Sequence, residues 1–334
     1  MTKVIFVTGA GGVGKTTIAG AVASGAAVVG TSTLVVTVDP ARRLAQALGL
    51  SVLTNEPSPV PGLPALEAAM LDATASWEAL VRRHTDGDTA ERLVANRFFR
   101  AIADRFPAGQ AYAAAEETAH LAESGQYEFI VVDTPPVGGA ADFFEAPSRI
   151  RSLVAGRALR VLTGPAIPGR RVLYSLTARP VLRLADRLLG GPLLEDIGEF
   201  LIDLRTTYDG IRARTGDVEA LFGAAHTVVA TTADPGPMAQ ARRLLSHGPG
   251  TAKTVLVNRT VPAEWASLGD AGGDPYARNL ARWGGEARRQ QQVLASLADT
   301  AFSPWAIPLV TPAPTSIPEL ASLVPAPALD QILS

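Results

Sequence analysis

The stretch Gly9-Ala10-Gly11-Gly12-Val13-Gly14-Lys15-Thr16-Thr17 constrains this chain more than any other. It follows a run of strand formers, Val4-Ile5-Phe6-Val7, and opens into a helical pattern from Thr16 to about Val29. Glycines let the backbone curl so that successive N–H groups point inward at an anion, and a helix start adds partial positive charge. A lysine and a threonine directly after the last glycine bring a cation and a hydroxyl to the same spot. Gly9, Gly14, Lys15 and Thr16 satisfy G-x-x-x-x-G-K-[ST], the spacing of a phosphate-cradling P-loop. In that arrangement Lys15 reaches the β- and γ-phosphates of a nucleoside triphosphate, and the Thr16 hydroxyl ligates Mg²⁺.

A competing reading uses the same glycines. Gly9, Gly11 and Gly14 also spell G-x-G-x-x-G, and Asp39 ends the second apolar run, where a dinucleotide-binding Rossmann fold keeps its ribose ligand. Lys15-Thr16 speaks against it, because such a fold has no use for a buried lysine facing a pyrophosphate.

Two further runs end in acids. Leu34-Val35-Val36-Thr37-Val38 reads as a buried strand ending at Asp39-Pro40, before a helical pattern that Gly49 stops. Asp39 then lies where open α/β sheets bind ligands, although capping the next helix would also suit it. Phe129-Ile130-Val131-Val132 delivers Asp133 to the same end of the sheet, the position of an acid that holds Mg²⁺ through water. Gly138-Gly139 just beyond suits a switch loop able to sense a γ-phosphate.

The chain's 334 residues suffice for one large α/β domain carrying an insertion. A net charge of −2 offers no global field toward nucleic acid, and none is expected as a partner. Cysteine is absent, which removes disulfides and thiolate metal sites; no zinc is expected. No secretory pattern precedes the first strand, and the most apolar window, Ile18 to Val29, is too short to span a bilayer. A cytoplasmic protein is expected, with peripheral membrane association left open.

Asn55 to Pro64 reads as a proline-rich loop, Leu66 to Met70 as a strand, and 72–125 as mainly helical. His84 and His120 read as surface or cap residues. From Ala146 to Phe222 helices replace strands, and nine arginines lie between Arg149 and Arg187 against one acid, Asp186. A solvated helix face explains that bias, and so does docking on a partner or an anionic membrane surface. Strands resume at Thr227 to Thr231, at Thr254 to Val257 and near Trp305 to Val310, while Ala263 to Gly285 reads as a surface excursion. The expected fold is therefore α/β: a P-loop NTPase core over 1–145 and 223–334, with a mostly parallel sheet flanked by helices. An inserted α-helical subdomain over 146–222 is expected to share part of 72–125.

With these residues placed, the chain resembles the deviant-Walker ATPases that include the arsenite-pump ATPase and the tail-anchored-protein targeting ATPase. Gly11 to Thr17 is similar to that family's G-G-V-G-K-T-T, Asp39-Pro40-Ala41 with Leu44 to its first switch, and Asp133-Thr134-Pro135-Pro136 to its D-T-A-P. Val257-Asn258-Arg259 is similar to its adenine-binding V-N-x. The resemblance implies ATP and Mg²⁺ as cofactors. It implies a nucleotide site of Gly11, Gly12, Val13, Gly14, Lys15, Thr16 and Thr17, with Asn258 at the adenine. Asp234 would be a late nucleotide contact, and an adenine loop would fall within 308–316. Thr16 and Asp133 would serve the metal, while Lys15 and Asp39 would be catalytic, Asp39 by orienting or deprotonating the attacking water. It also implies a dimer working with a membrane-protein client or a permease.

Three departures qualify this. The family's interface-crossing lysine falls on Ala10, its first-switch histidine on Arg42, and its second switch reads Val137-Gly138-Gly139-Ala140 here. The chain is most similar to actinobacterial members that occur as paired paralogues, one of which keeps the lysine. A heterodimer with such a paralogue therefore stands beside the homodimer. A nucleotide-binding regulatory subunit with little activity of its own stands beside the working ATPase.

Overall fold

In the computed structural model the residues described are 2–39, 43–97, 99, 100, 103, 107–135, 137–155, 203, 210, 214–250, 252–269, 274–298, 302 and 304–334. The strands are β1 (Lys3–Gly9), β2 (Thr33–Thr37), β3 (Ser58–Val60), β4 (Leu63–Met70), β5 (Phe129–Asp133), β6 (His226–Thr231), β7 (Ala252–Thr260) and β8 (Pro304–Pro308). They form one sheet in the order β3-β4-β2-β5-β1-β6-β7-β8. Every neighbouring pair is parallel except β3 with β4 at the edge.

Side chains alternate across a strand, so an unbroken apolar run needs cover on both faces. Ile5, Val7, Val228, Ala230 and Leu256 turn to one face, where they pack with the helix α1 (Lys15–Val28) in a single cluster. That helix is buried along most of its length, and alanine and glycine let it sit close to the sheet. Phe6 turns to the other face, into an aromatic group with Phe143, Phe144 and Phe222 whose ring centroids lie 4.7–6.0 Å from its own. Val229, Val255 and Val257 also turn that way and pack with Met238, Ala241, Leu245 and Leu297.

The chain divides into two compact units. The first holds 1–72, 118–144 and 220–334, and therefore the whole sheet. The second holds 73–117 and 145–219; its described residues include the helices Ala73–His84 and Gly87–Ala95. Trp77, Leu80, Leu93, Tyr112 and Ile150 lie in its core. Beside that core Glu116, almost fully buried, pairs with Arg83 and lies 3.4 Å from Arg214 Nε. His84 Nε2 stands 3.8 Å from the same carboxylate, so His84 belongs to a half-buried ionic group and is not a plain surface residue. The arginines Arg179, Arg183 and Arg187 lie outside the described residues.

Several expectations need correction. Asn55 to Pro64 is not structureless: β3 and the start of β4 form a short hairpin there, with a shift of register beside Pro59. Proline is tolerated because the strand is at the sheet edge. Gly138-Gly139 is not a loop, for a helix runs from Val137 to Ala155. Ala263 to Gly285, expected as a surface excursion, has described residues that are nearly all exposed or half-buried, and it carries a 3-10 turn, Ala263–Ser267, and the first half of a long helix, Pro275–Ala298. Two terminal helices, Ile317–Ala321 and Ala326–Leu333, follow the last strand.

Candidate functional site: a nucleotide cavity at the first glycine loop

The loop between β1 and α1 is shaped by residues that only glycine satisfies. Gly9 has φ +152°, and a Cβ there would fall 2.0 Å from the Ala230 carbonyl oxygen of the neighbouring strand. Gly14 has φ +93°, and a Cβ there would fall 2.5 Å from Asn258 Nδ2. Gly14 caps α1 in the left-handed conformation without a side-chain cap, and the first bond of the helix runs from the Ile18 N–H to the Gly14 carbonyl. The N–H groups of Lys15, Thr16 and Thr17 precede that bond, where a helix leaves its donors for a ligand.

A cavity of about 450 Å³ opens on this loop. Gly11, Gly12, Gly14, Lys15, Thr16 and Thr17 line it together with Asp39 and Asp133. Most of the expected site residues are thus brought together. The sheet does this: β2 and β5 are parallel neighbours, and Thr37 is in register with Asp133. Both carboxylates therefore emerge at the end of the sheet that faces the glycine loop.

The chemistry of the cavity follows from burial. Lys15 is 7% exposed, and its Nζ donates to the Ala10 carbonyl at 2.9 Å. Desolvation holds the Lys15 ammonium below the usual lysine range, against the opposing pull of Asp133 and Asp39. Asp133 is pushed up to about 6, chiefly by desolvation, while Thr16, Thr37 and Lys15 favour its charged form. Its Oδ2 accepts from the Thr37 hydroxyl at 3.1 Å, and its Oδ1 is buried without a hydrogen-bond partner. The Thr16 hydroxyl faces the carboxylate closely enough to favour its charged form yet falls short of hydrogen-bond geometry to Oδ1. A buried, unpartnered carboxylate oxygen next to a hydroxyl is a donor set that suits Mg²⁺, a hard cation that keeps several waters. Thr16 and Asp133 fit that ion.

Thr37 was not legible as a site residue, yet it links the two acids: it donates to Asp133 and accepts from the Asp39 N–H at 3.1 Å. Thr134 anchors the end of β5 through its hydroxyl to the Val7 carbonyl at 3.0 Å. Arg43, 3.8 Å from Asp39, and Gln46 enter the cavity from the short helix Arg43–Ala47. Neither stood out by residue type or spacing.

Other expected residues lie elsewhere. Val13 is packed in the core and presents its carbonyl to Asn258 Nδ2 at 2.8 Å. Asn258 Oδ1 accepts the Arg259 N–H at 2.9 Å, so this amide braces the glycine loop against β7. Asp234 lines a second cavity, of about 350 Å³, walled by Trp283, Leu309 and Arg289. Its Oδ2 accepts from the Thr232 hydroxyl at 2.8 Å, and its Oδ1 lies 3.7 Å from Arg289. Of the segment 308–316, Leu309 reaches that cavity. Ala10 is 5% exposed, its methyl in the core beneath α1. Arg42 lies outside the described residues.

A mostly parallel sheet whose first strand ends in a glycine loop, Lys-Thr and a buried helix defines the P-loop NTPase class. Residues 2–162 match the model of the anion-transporting ATPase family. The chain is 30% identical over 237 residues to a Streptomyces coelicolor protein described as uncharacterized, a match covering 70% of this chain and 55% of that one. It is 32% identical over 178 residues to a putative arsenical pump-driving ATPase of Halobacterium salinarum, covering 51% and 27% of the two. To the ATPase GET3 of Rhodotorula glutinis it is 33% identical over 192 residues, covering 57% and 50%. Over these matched segments the chain is similar to the arsenite-pump and GET3 type of P-loop ATPase. Its matches span about a quarter to a little over half of the length of these relatives. No helix among the described residues is long and apolar enough to cross a membrane.

Proposed function

We propose that this chain is a Mg²⁺-dependent ATPase whose hydrolytic cycle drives a conformational switch in a two-subunit assembly. The assembly would serve membrane-protein targeting, transport or envelope maintenance. The observation that carries the reading is the meeting of Lys15, Thr16, Asp39 and Asp133 in one cavity at the mouth of the glycine loop. The names of the relatives, an arsenical pump-driving ATPase and ATPase GET3, agree with it.

The residues divide the work by their chemistry. Lys15, docked on the Ala10 carbonyl, exchanges that contact for the β- and γ-phosphates. The N–H groups at the start of α1 take up further phosphate charge. Thr16 and, through water, Asp133 would hold Mg²⁺, which would supply positive charge toward the transferring phosphoryl group. Asp39, in the same cavity as Lys15, orients the attacking water and accepts its proton. The nucleoside is assigned to the second cavity, lined by Asp234 and by Arg259, the chain neighbour of Asn258.

The test is steady-state phosphate release by wild type and Asp39→Asn, with nucleotide affinity measured beside it. The amide keeps the shape but takes no proton, so turnover is expected to fall by about 10²-fold or more while affinity stays near wild type. Equal turnover in the variant contradicts the role of Asp39.

A second reading, the regulatory partner of a hetero-pair, is favoured by Ala10. The methyl is in the core and supplies no charge to a neighbouring subunit.

A further inference from the structure

The phosphate cavity and the Trp283 cavity have one lining residue in common, Arg259. Its backbone is unusual. Arg259 has φ +58° and is the one residue other than glycine with a positive φ among those described. A long side chain enters this left-handed region at a steric cost, and such outliers gather at functional sites.

The surrounding structure holds the residue there. The pairing of β7 with β8 shifts register between Val257 and Thr260, so Asn258 and Arg259 form a bulge between two paired positions. Bulges re-aim a side chain out of the sheet's alternation. Asn258 fixes this one from within, accepting the Arg259 N–H while donating to Val13 of the glycine loop. The position of Arg259 is therefore tied to the loop that meets the phosphates.

The guanidinium itself has no hydrogen bond or ion pair among the described residues. The neighbouring cation of the second cavity, Arg289, is committed: it donates to the Ala233 carbonyl at 2.7 Å and pairs with Glu286. In the first cavity Arg43 faces Asp39. Arg259 is thus a cation without a counterion among the described residues, exposed at the point where the two cavities meet.

We infer that Arg259 is a nucleotide-binding residue whose guanidinium pairs with the phosphate chain where the Lys15 cavity joins the Trp283 cavity. This rests on the reading of the site as a nucleoside-triphosphate site. It adds a cation in cis to a loop that has alanine at position 10. Through the Asn258 brace, the same contact couples the occupied phosphate site to β7.

The test compares wild type, Arg259→Gly and Arg259→Lys by calorimetric titration with MgADP at several KCl concentrations, with thermal melting of each. Glycine accepts the positive φ without strain, so Arg259→Gly is expected to melt at or above the wild-type temperature. It is expected to bind MgADP about tenfold or more weakly, with a shallower dependence of affinity on salt, because a charged contact is gone. Arg259→Lys is expected to recover part of the affinity and the salt dependence. If Arg259→Gly binds as wild type does, or loses affinity with an unchanged salt dependence, the inference fails. Wild type that binds no MgADP overturns the nucleotide reading itself, an outcome distinct from both.

Discussion

Asp133 sits at the end of a parallel strand with one oxygen bonded to Thr37 and the other bare, and burial pushes its carboxyl up to about 6. Because desolvation raises this value above that of the unfolded chain, the folded state holds the proton more tightly. Stability from this group is present below about pH 4 and is lost as pH rises through about 6. At pH 7 the buried charge therefore costs stability, on the order of 1–3 kcal/mol, and Asp133→Asn is expected to stabilise the nucleotide-free protein by about that much in urea unfolding. Ligand binding has the opposite sign. A protonated carboxyl is a poor partner for a metal, so Mg²⁺-dependent nucleotide affinity is expected to fall as pH drops from 7 to 5, and the variant is expected to lose this dependence. A wild-type affinity that is flat across that range contradicts the assignment. The meeting of Asp133, Asp39 and Lys15 in one cavity was legible because an acid closing an apolar run and a lysine closing a glycine run are local patterns. The link that Thr37 makes between the acids and the bulged position of Arg259 were not, since they come from register across the sheet, a relation between distant segments.

At the scale of elements, apolar runs without polar interruption announced the central strands, and those runs are buried on both faces as such patterns require. Phe6 shows what the far face contributes. It is fully buried against three phenylalanines, so Phe6→Ala is expected to cost about 3–5 kcal/mol, read as a lower urea midpoint for loss of the sheet-bearing unit. A midpoint within error of wild type contradicts that packing. The helix Pro275–Ala298 was illegible for a specific reason. Gly284-Gly285 lies inside it, where each glycine costs about 1 kcal/mol of helix propensity relative to alanine. A Cβ at Gly284 would fall 2.2 Å from the Leu268 carbonyl oxygen, so close passage of the 3-10 segment explains a residue that reads as a breaker. Packing of Val293, Leu294 and Leu297 against the sheet offsets the loss.

For the whole molecule, the placement of the sheet in one unit and of the helices Ala73–His84 and Gly87–Ala95 in the other was only partly legible. Composition marked the change near Ala146, and the helical pattern of 72–125 was expected to share the subdomain in part; the bounds at 73 and 117 depend on long-range packing. Assembly is the question at this scale. A cation supplied in trans to a transferring phosphoryl group is worth about 10³–10⁵ in rate, and Ala10 supplies none. The chain alone is therefore expected to turn over ATP slowly and to be accelerated by a paralogue bearing lysine at the equivalent position. If the isolated chain already matches the rate of the mixture, the hetero-pair proposal fails. Beneath all of this lies the claim that the glycine loop and Lys15 hold a nucleoside triphosphate. The most direct measurement is a calorimetric titration of the wild-type chain and of Lys15→Ala with MgATP. The account expects saturable binding to wild type and affinity reduced by about 10²-fold or more in the variant, since the loop loses its charge clamp on the β- and γ-phosphates. Unchanged affinity in Lys15→Ala, or no binding to wild type, would contradict it.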